Sequence, residues 1–178
     1  MLKVLRKKKV FPPEGDIRKG LINVFEFTIE ENDGSVRSQF IWERGHFVVV
    51  VIIDEHDNLI LKREFKYGQM RKLLTFVSGA IKKGEDPIMA ALREMLEEVG
   101  MESDDVRIFA GPLCNSPDKS TELHYFVIAR NARFMSDTRE SGEIVRCPVA
   151  MAHELLKAND FTIAIQRLAL HEAFVPYR

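Results

Sequence analysis

Three glutamates, Glu94, Glu97 and Glu98, fall within five consecutive residues, and Arg93 directly precedes them. On a helix, residues three and four apart are surface neighbours, so Glu94 stands beside both other carboxylates. Each like-charge pair of that kind costs about 0.2–0.5 kcal/mol, and Arg93, facing Glu97 one turn on, recovers part of it. Two readings fit such a cluster. One is a solvated acidic face, the usual role of a Glu-rich helix surface. The other is a set of hard oxygen donors whose repulsion a divalent cation relieves.

The element that positions these side chains is a helix over 87–99. Asp86 is placed to cap it, Pro87 sits in the first turn where its missing N–H costs nothing, and Gly100 is a stop signal. Ile88, Ala91, Leu92, Met95 and Val99 form one apolar stripe at helical spacing and mark the core face. The three glutamates are expected off that stripe, pointing outward together. On this reading they are not needed for packing, and Glu98→Gln should leave the metal-free fold as stable as before or slightly more so.

The rest of the chain reads as strands around that helix. "INVFEFTIE" (22–30) and "SVRSQFIWE" (35–43) flank the turn signal "NDG" and predict a β-hairpin. "HFVVVVIID" is a continuous β-branched run, as in a strand buried on both faces. "LILKREF" (59–65) and "LLTFVSG" (73–79) suggest one strand each, with others near 106–110, 123–129 and 144–149. "AMAHELLKA" and "TIAIQRLALHEAF" look helical. The order predicts a mixed sheet with helices on its faces. "MLKVLRKKK" (1–9) carries five cations and reads as a solvated, partly ordered tail, with a nucleic-acid arm as the weaker alternative.

The whole chain sets bounds. Its 178 residues make one domain with a possible small appendage, and the net charge of −1 gives no field toward nucleic acid or a membrane surface. The longest apolar run, 47–53, is far too short for a bilayer span. The basic N-terminus is followed by no apolar segment of the kind a signal peptide carries. Cys114 and Cys147 lack metal-site spacing and suit a reducing compartment, which favours the cytoplasm.

Reading upstream of the acidic cluster, residues 79–101 are "GAIKKGEDPIMAALREMLEEVGM". Gly79, Glu85, Arg93, Glu94, Glu97, Glu98, Gly100 and the apolar Met95 and Met101 stand at the spacing of the Nudix box, which the stretch resembles at every defining position. A pattern fixed at this many places is far more specific than a lone glycine-rich loop. The resemblance implies a Nudix-type α/β/α sandwich with a mixed sheet. It also implies a hydrolase of nucleoside diphosphates linked to a second moiety, dependent on Mg²⁺ or Mn²⁺. Carried over residue by residue, Glu94 and Glu98 are metal ligands, and Glu97 is a third ligand or acts through water. Arg93 orients the glutamates, the Ser78 carbonyl completes a coordination sphere, and Glu85 acts behind the ligands or at a second ion. The physics agrees, because a diphosphate can approach such carboxylates only with cations between them.

Flanking residues resemble the branch that hydrolyses ADP-ribose and nucleoside diphosphate sugars. "LILKREFKYG" is similar to its strand leading to substrate-contacting cations, here Arg63 and Lys66. Pro117 in "NSPDKSTELHYF" stands where that branch carries a proline, and Glu122 is within reach of sugar or metal on this reading. Three departures stand out. "TFVSG" (75–79) replaces "ELPAG", so Thr75 takes the place of a carboxylate; Lys66 stands where arginine is common; and Glu64 replaces the usual glutamine. They put the preference for ADP-ribose, against GDP-mannose or a similar nucleotide sugar, in question.

In this branch a mobile loop supplies the general base. Here that loop is "SDTRESGEIV" (136–145), which makes Glu140 and Glu143 the candidates. Phe40, Trp42 and Phe47 could stack on a nucleobase or simply pack. Residues 1–44 are expected to form a β-rich extension that joins two subunits in a homodimer, with the hydrolase domain over 45–178. The alternatives are a Nudix hydrolase of nucleoside triphosphates or dinucleoside polyphosphates, or a non-catalytic ligand-sensing module.

Overall fold

The computed structural model describes residues 3–11, 23–135 and 142–174. In chain order the elements are β1 (Lys3–Phe11), β2 (Asn23–Glu30), β3 (Val36–Glu43), β4 (Phe47–Asp54), β5 (Asn58–Lys66), β6 (Arg71–Thr75) and β7 (Val77–Ala80). There follow α1 (Pro87–Val99), β8 (Met101–Glu102), β9 (Asp105–Cys114), β10 (Leu123–Phe134), β11 (Glu143–Pro148), α2 (Ala152–Leu155) and α3 (Ala164–Phe174). Two compact units result, one spanning 1–46 with 114–123 and the other 47–113 with 124–178.

In the first unit β2 and β3 form the expected hairpin, paired from Asn23↔Glu43 to Glu30↔Val36. Its turn is held by Asp33, whose Oδ1 accepts from the Ser35 N–H and hydroxyl. The basic N-terminal run is not a tail. It forms β1, antiparallel to β2 from Lys3↔Glu30 to Phe11↔Val24. The free edge of β2 supplies backbone partners, and Lys7 reaches Glu43 at 3.1 Å while its ammonium lies 4.0 Å from the Phe25 ring centre. Every residue of β1 is exposed, so it has no alternating apolar pattern from which a strand could be read. Residues 114–123 join this unit along β3: the Trp42 N–H donates to Lys119 O at 2.6 Å and the Thr121 N–H to Trp42 O at 3.1 Å.

The second unit is a mixed sheet in the order β11-β5-β4-β10-β8, with β6 beside β5, β7 beside β4 and β9 beside β10. The central strand β4 runs parallel to β10 and antiparallel to β5 and β7. Its alternation divides the core in two, which is why the β-branched run is buried throughout. Val48, Val50 and Ile52 pack with Ala90, Ala91, Met95 and Val99 of α1. Val49, Val51 and Ile53 pack with Phe76, Phe161, and Ala169 and Leu170 of α3. The layers are thus helix, sheet, helix.

Sequence and structure differ in detail here. The stretch 73–79 is two strands, because fully buried Phe76 interrupts the ladder and its N–H donates to Gln166 Oε1 at 2.7 Å. The helical signal at 150–158 becomes a single 3₁₀ turn, Val149–Met151, followed by the short α2. Among the described residues no helix is long and apolar enough to cross a membrane.

Candidate active site

Helix α1 carries the acidic cluster, and its bounds are those its sequence signals predict. The Asp86 side chain accepts from the Ile88 N–H at 2.8 Å, Pro87 opens the helix, and Gly100 closes it in the left-handed conformation, φ 64°. Strand β7 lies alongside, and its Gly79 pairs with Val48 of β4.

Arg93 organises the cluster. A guanidinium has five N–H donors, and all five are engaged. Nε donates to Glu85 Oε1 at 2.9 Å; Nη2 donates to Glu85 Oε2 at 3.0 Å and to Ala80 O at 2.9 Å. Nη1 donates to Glu94 Oε1 and to Glu97 Oε2, the latter at 3.1 Å. Three carboxylates are therefore fixed by one cation. Glu85 is bound through both oxygens and also accepts from the Lys82 N–H at 2.8 Å. These bonds, those from Arg93 foremost, bring its carboxyl down to about 2 from an ordinary 4.5. That geometry makes Glu85 the support of Arg93 rather than a free oxygen donor.

A pH dependence follows. The folded-state pKa of Glu85 lies below its unfolded value, so the stability it contributes is whole above pH 4.5 and is lost as pH falls toward 2. Glu85→Gln should lower the melting temperature at neutral pH, and the gap from the wild type should close across that acid window. A gap that stays constant with pH would contradict the assignment.

Glu94 is seated by a glycine. A Cβ built on Gly79 would lie 1.9 Å from the Glu94 carboxyl carbon and 2.0 and 2.3 Å from its oxygens. Only a residue without a side chain leaves room for the carboxylate against the strand. In Gly79→Ala the flexible carboxylate must move, whereas the backbone need not. We expect divalent-ion affinity to fall roughly 10–100-fold, the range for disturbing a ligand's support, with little change in melting temperature. Unaltered affinity would show that the seat is irrelevant.

Glu98 departs from the sequence expectation. The three carboxylates do not share one exposed face: side-chain exposure is 12% for Glu94, 48% for Glu97 and 9% for Glu98. Glu98 stands three residues beyond Met95 and seven beyond Ala91, on the edge of the buried stripe. Its Oε2 accepts from Lys62 Nζ at 2.7 Å and its Oε1 from the Ser78 N–H at 3.3 Å. Burial pushes the Glu98 carboxyl above its ordinary value, while Lys62 pulls the other way. Lys62 was not singled out by the sequence. The one sign of it is a lysine continuing the run "LIL", where a buried strand offers no route to solvent.

Strand alternation sorts the remaining residues. On β5, Ile60 belongs to the α1 side of the core and Leu59 and Leu61 to the α3 side. Lys62, Glu64 and Lys66 follow the parity of Ile60, and Lys66 Nζ pairs with Glu64 Oε1. Arg63 has the other parity and donates to Asp160 Oδ2. Glu143 is its cross-strand partner on β11, with Arg63 Nε 3.7 Å from Glu143 Oε2. Those two, with Phe65, Lys72 and Gly142, line a separate cleft of about 420 Å³. The structure therefore does not bring Arg63 and Glu143 to the acidic cluster, and it adds Lys72 and Asp160 as neighbours the sequence did not indicate. Glu140 lies outside the described residues. Pro117 and Glu122 belong to the first unit, where Glu122 Oε2 pairs with Arg44 Nη1 at 2.7 Å. Trp42, Arg44, Asn115 and Glu122 line a small hollow there. Phe40 and Trp42 are exposed, whereas Phe47 stacks on His124 of the second unit at 5.9 Å.

Among the described residues, no three acid, histidine or cysteine side chains are arranged as a ready metal site; Arg93 and Lys62 clasp the carboxylates instead. The donor chemistry, carboxylates with one seated on a cleared glycine, nevertheless fits a hard divalent ion.

Residues 43–168 match the NUDIX domain family. The chain is 31% identical to the ADP compounds hydrolase NudE of Escherichia coli over 92% of its own length and 90% of that protein's. It is 22% identical to the ADP-ribose pyrophosphatase of Bacillus subtilis, covering 96% and 94% of the two chains. A crystal structure of an ADP compounds hydrolase superposes with a TM-score of 0.82 at 29% identity, over 97% of this chain and 91% of that one.

Proposed function

This chain belongs to the Nudix family of hydrolases, and from that premise we propose that it cleaves the pyrophosphate bond of an ADP-linked compound such as ADP-ribose. The products would be a nucleoside monophosphate and a sugar phosphate. The observation that carries the proposal is the box itself: Glu94 seated against Gly79, with Arg93 saturated by Glu85, Glu94, Glu97 and the Ala80 carbonyl. The full-length likeness to two hydrolases named for ADP compounds and ADP-ribose directs it to that substrate class.

Glu94 and Glu97 would hold Mg²⁺ or Mn²⁺, with the Ser78 carbonyl as a further oxygen, and Glu98 would join them on release from Lys62. A divalent ion there would offset the charge of the diphosphate and favour the hydroxide form of a bound water. The chain's own part is positional: Arg93 keeps Glu94 and Glu97 aimed, and Glu85 keeps Arg93 in place. Lys66 shares the parity of Lys62 but is partly exposed, which makes it the cation of β5 best placed to meet substrate phosphate. A base must accept a proton from the attacking water, and Glu140 is proposed for that role, because Glu143 is turned to Arg63 on the other side of the sheet. We expect Glu140→Gln to lower kcat about 10²–10⁴-fold with unchanged metal affinity, and Glu143→Gln to stay near the wild type. The reverse pattern in steady-state kinetics would move the base to Glu143.

In the first unit, Trp42 is exposed. Its sheet also exposes Val4, Leu5, Val36 and Phe40, more apolar surface than a solvated appendage needs. We propose a homodimer formed through this sheet, in a reducing, cytoplasmic setting that suits the free Cys114 and Cys147. Light scattering at micromolar concentration should give twice the chain mass.

The substrate proposal is tested by chromatographic identification of the products formed from ADP-ribose, GDP-mannose, other nucleotide sugars, nucleoside triphosphates and dinucleoside polyphosphates with Mg²⁺ or Mn²⁺. ADP-linked compounds should lead. A lead by triphosphates would select the triphosphate reading, and no turnover on any compound would select a non-catalytic module.

A further inference from the structure

The residues around Glu98 depart together from the branch that the chain resembles. Thr75 stands where that branch carries a carboxylate, and Glu64 stands where it carries glutamine. In the structure these positions meet: the Thr75 hydroxyl donates to Glu64 Oε1 at 2.9 Å. The negative charge absent at 75 is present on the neighbouring strand, two residues along from Lys62, which is the cross-strand partner of Thr75. Burial opposes ionisation of Glu64, but hydrogen bonds from Lys66 and Thr75 hold its carboxyl below the ordinary range.

Lys62 stands between two acids. Its Nζ is 2.7 Å from Glu98 Oε2 and 3.8 Å from Glu64 Oε2, and its side chain is only 3% exposed. A buried ammonium is tolerated where carboxylates surround it, and it cannot swing to water as a surface lysine does. The stem is packed as well, for a Cβ on Gly142 would lie 3.2 Å from Lys62 Cε. The positive charge at Glu98 is therefore a fixed part of the chain.

We propose that the Lys62 ammonium takes the charge-neutralising place at Glu98 that a second divalent ion would otherwise fill. The substrate-free chain then loads a single divalent ion, centred on Glu94 and Glu97. Lys62 is a positioning residue: it acts through Glu98 and sets how many ions the cluster holds. The inference rests on the reading that the box binds a divalent ion at all, and the test separates the two.

The experiment is a titration with Mn²⁺, reading free Mn²⁺ by electron paramagnetic resonance, on wild type, Lys62→Met and Lys62→Gln without nucleotide. The glutamine variant keeps a donor for Glu98 Oε2 while removing the charge, so it guards against a variant that fails to fold. The wild type should bind one Mn²⁺ per chain and each folded neutral variant two. Two ions on the wild type, or one on a folded neutral variant, overturns the inference. No Mn²⁺ on the wild type overturns the metal reading beneath it. If neither variant folds, the wild-type count alone decides.

Discussion

Glu98→Gln is expected to lower the melting temperature of the metal-free protein by roughly 6–20 °C. Removing one partner of a buried ion pair weakens the compensation of the other charge, at a cost of up to about 3–5 kcal/mol. In a chain of this size each kcal/mol moves the midpoint by about 2–4 °C. The group that loses its nearest partner is Lys62, buried and 2.7 Å from the carboxylate that the substitution neutralises, with Glu64 left at 3.8 Å. Spacing alone leads to the opposite expectation, because three outward carboxylates would gain from losing one charge. The double variant Lys62→Met, Glu98→Leu should recover most of the loss, since replacing both members by apolar groups is often near neutral. Calorimetry showing an unchanged midpoint for Glu98→Gln would mean that the pair does not form.

Glu94→Gln should do the reverse, lowering kcat/KM by more than about 100-fold while leaving the midpoint within a few degrees. Disturbing only the support of a metal ligand costs about 10–100-fold, so removing the ligand's charge should cost more. The fold is spared because Glu94 is held at the edge of the core, its oxygen meeting Arg93 and its carboxyl resting against Gly79. The amide retains an oxygen for Arg93 and needs the same space. Two glutamates four residues apart on one helix would then show opposite profiles, one chiefly structural before metal binds and one chiefly functional. A Glu94→Gln protein that turns over at the wild-type rate would remove Glu94 from the site.

The parts of this molecule that local chemistry determines were legible in the sequence. Asp86, Pro87 and Gly100 bound α1 to the residue, and the β-branched run from Phe47 proves to be the central strand with a core on each side. The box pattern located Arg93 and its carboxylates. What stayed hidden depends on which strand lies beside which. Nothing local in "LILKREF" shows that Lys62 meets Glu98 on α1, or that Arg63 meets Asp160 from the opposite side. The parity of β5 decides both, and parity has meaning only once Ile60 is known to face α1. Strand β1 escaped for a different reason. Its residues are all exposed, so its pairing with β2 leaves no periodic mark.

Arg93 and the glutamates it holds are proposed as a divalent-dependent site for cleaving an ADP-linked pyrophosphate. The most direct test is to incubate the purified chain with ADP-ribose and Mg²⁺ or Mn²⁺ in ¹⁸O-labelled water and identify the products by mass spectrometry. AMP and ribose 5-phosphate are expected, one of them carrying a single ¹⁸O, with product lost on adding a chelator and in Glu94→Gln. Equal product formation with the chelator present, or from Glu94→Gln, would contradict the proposal.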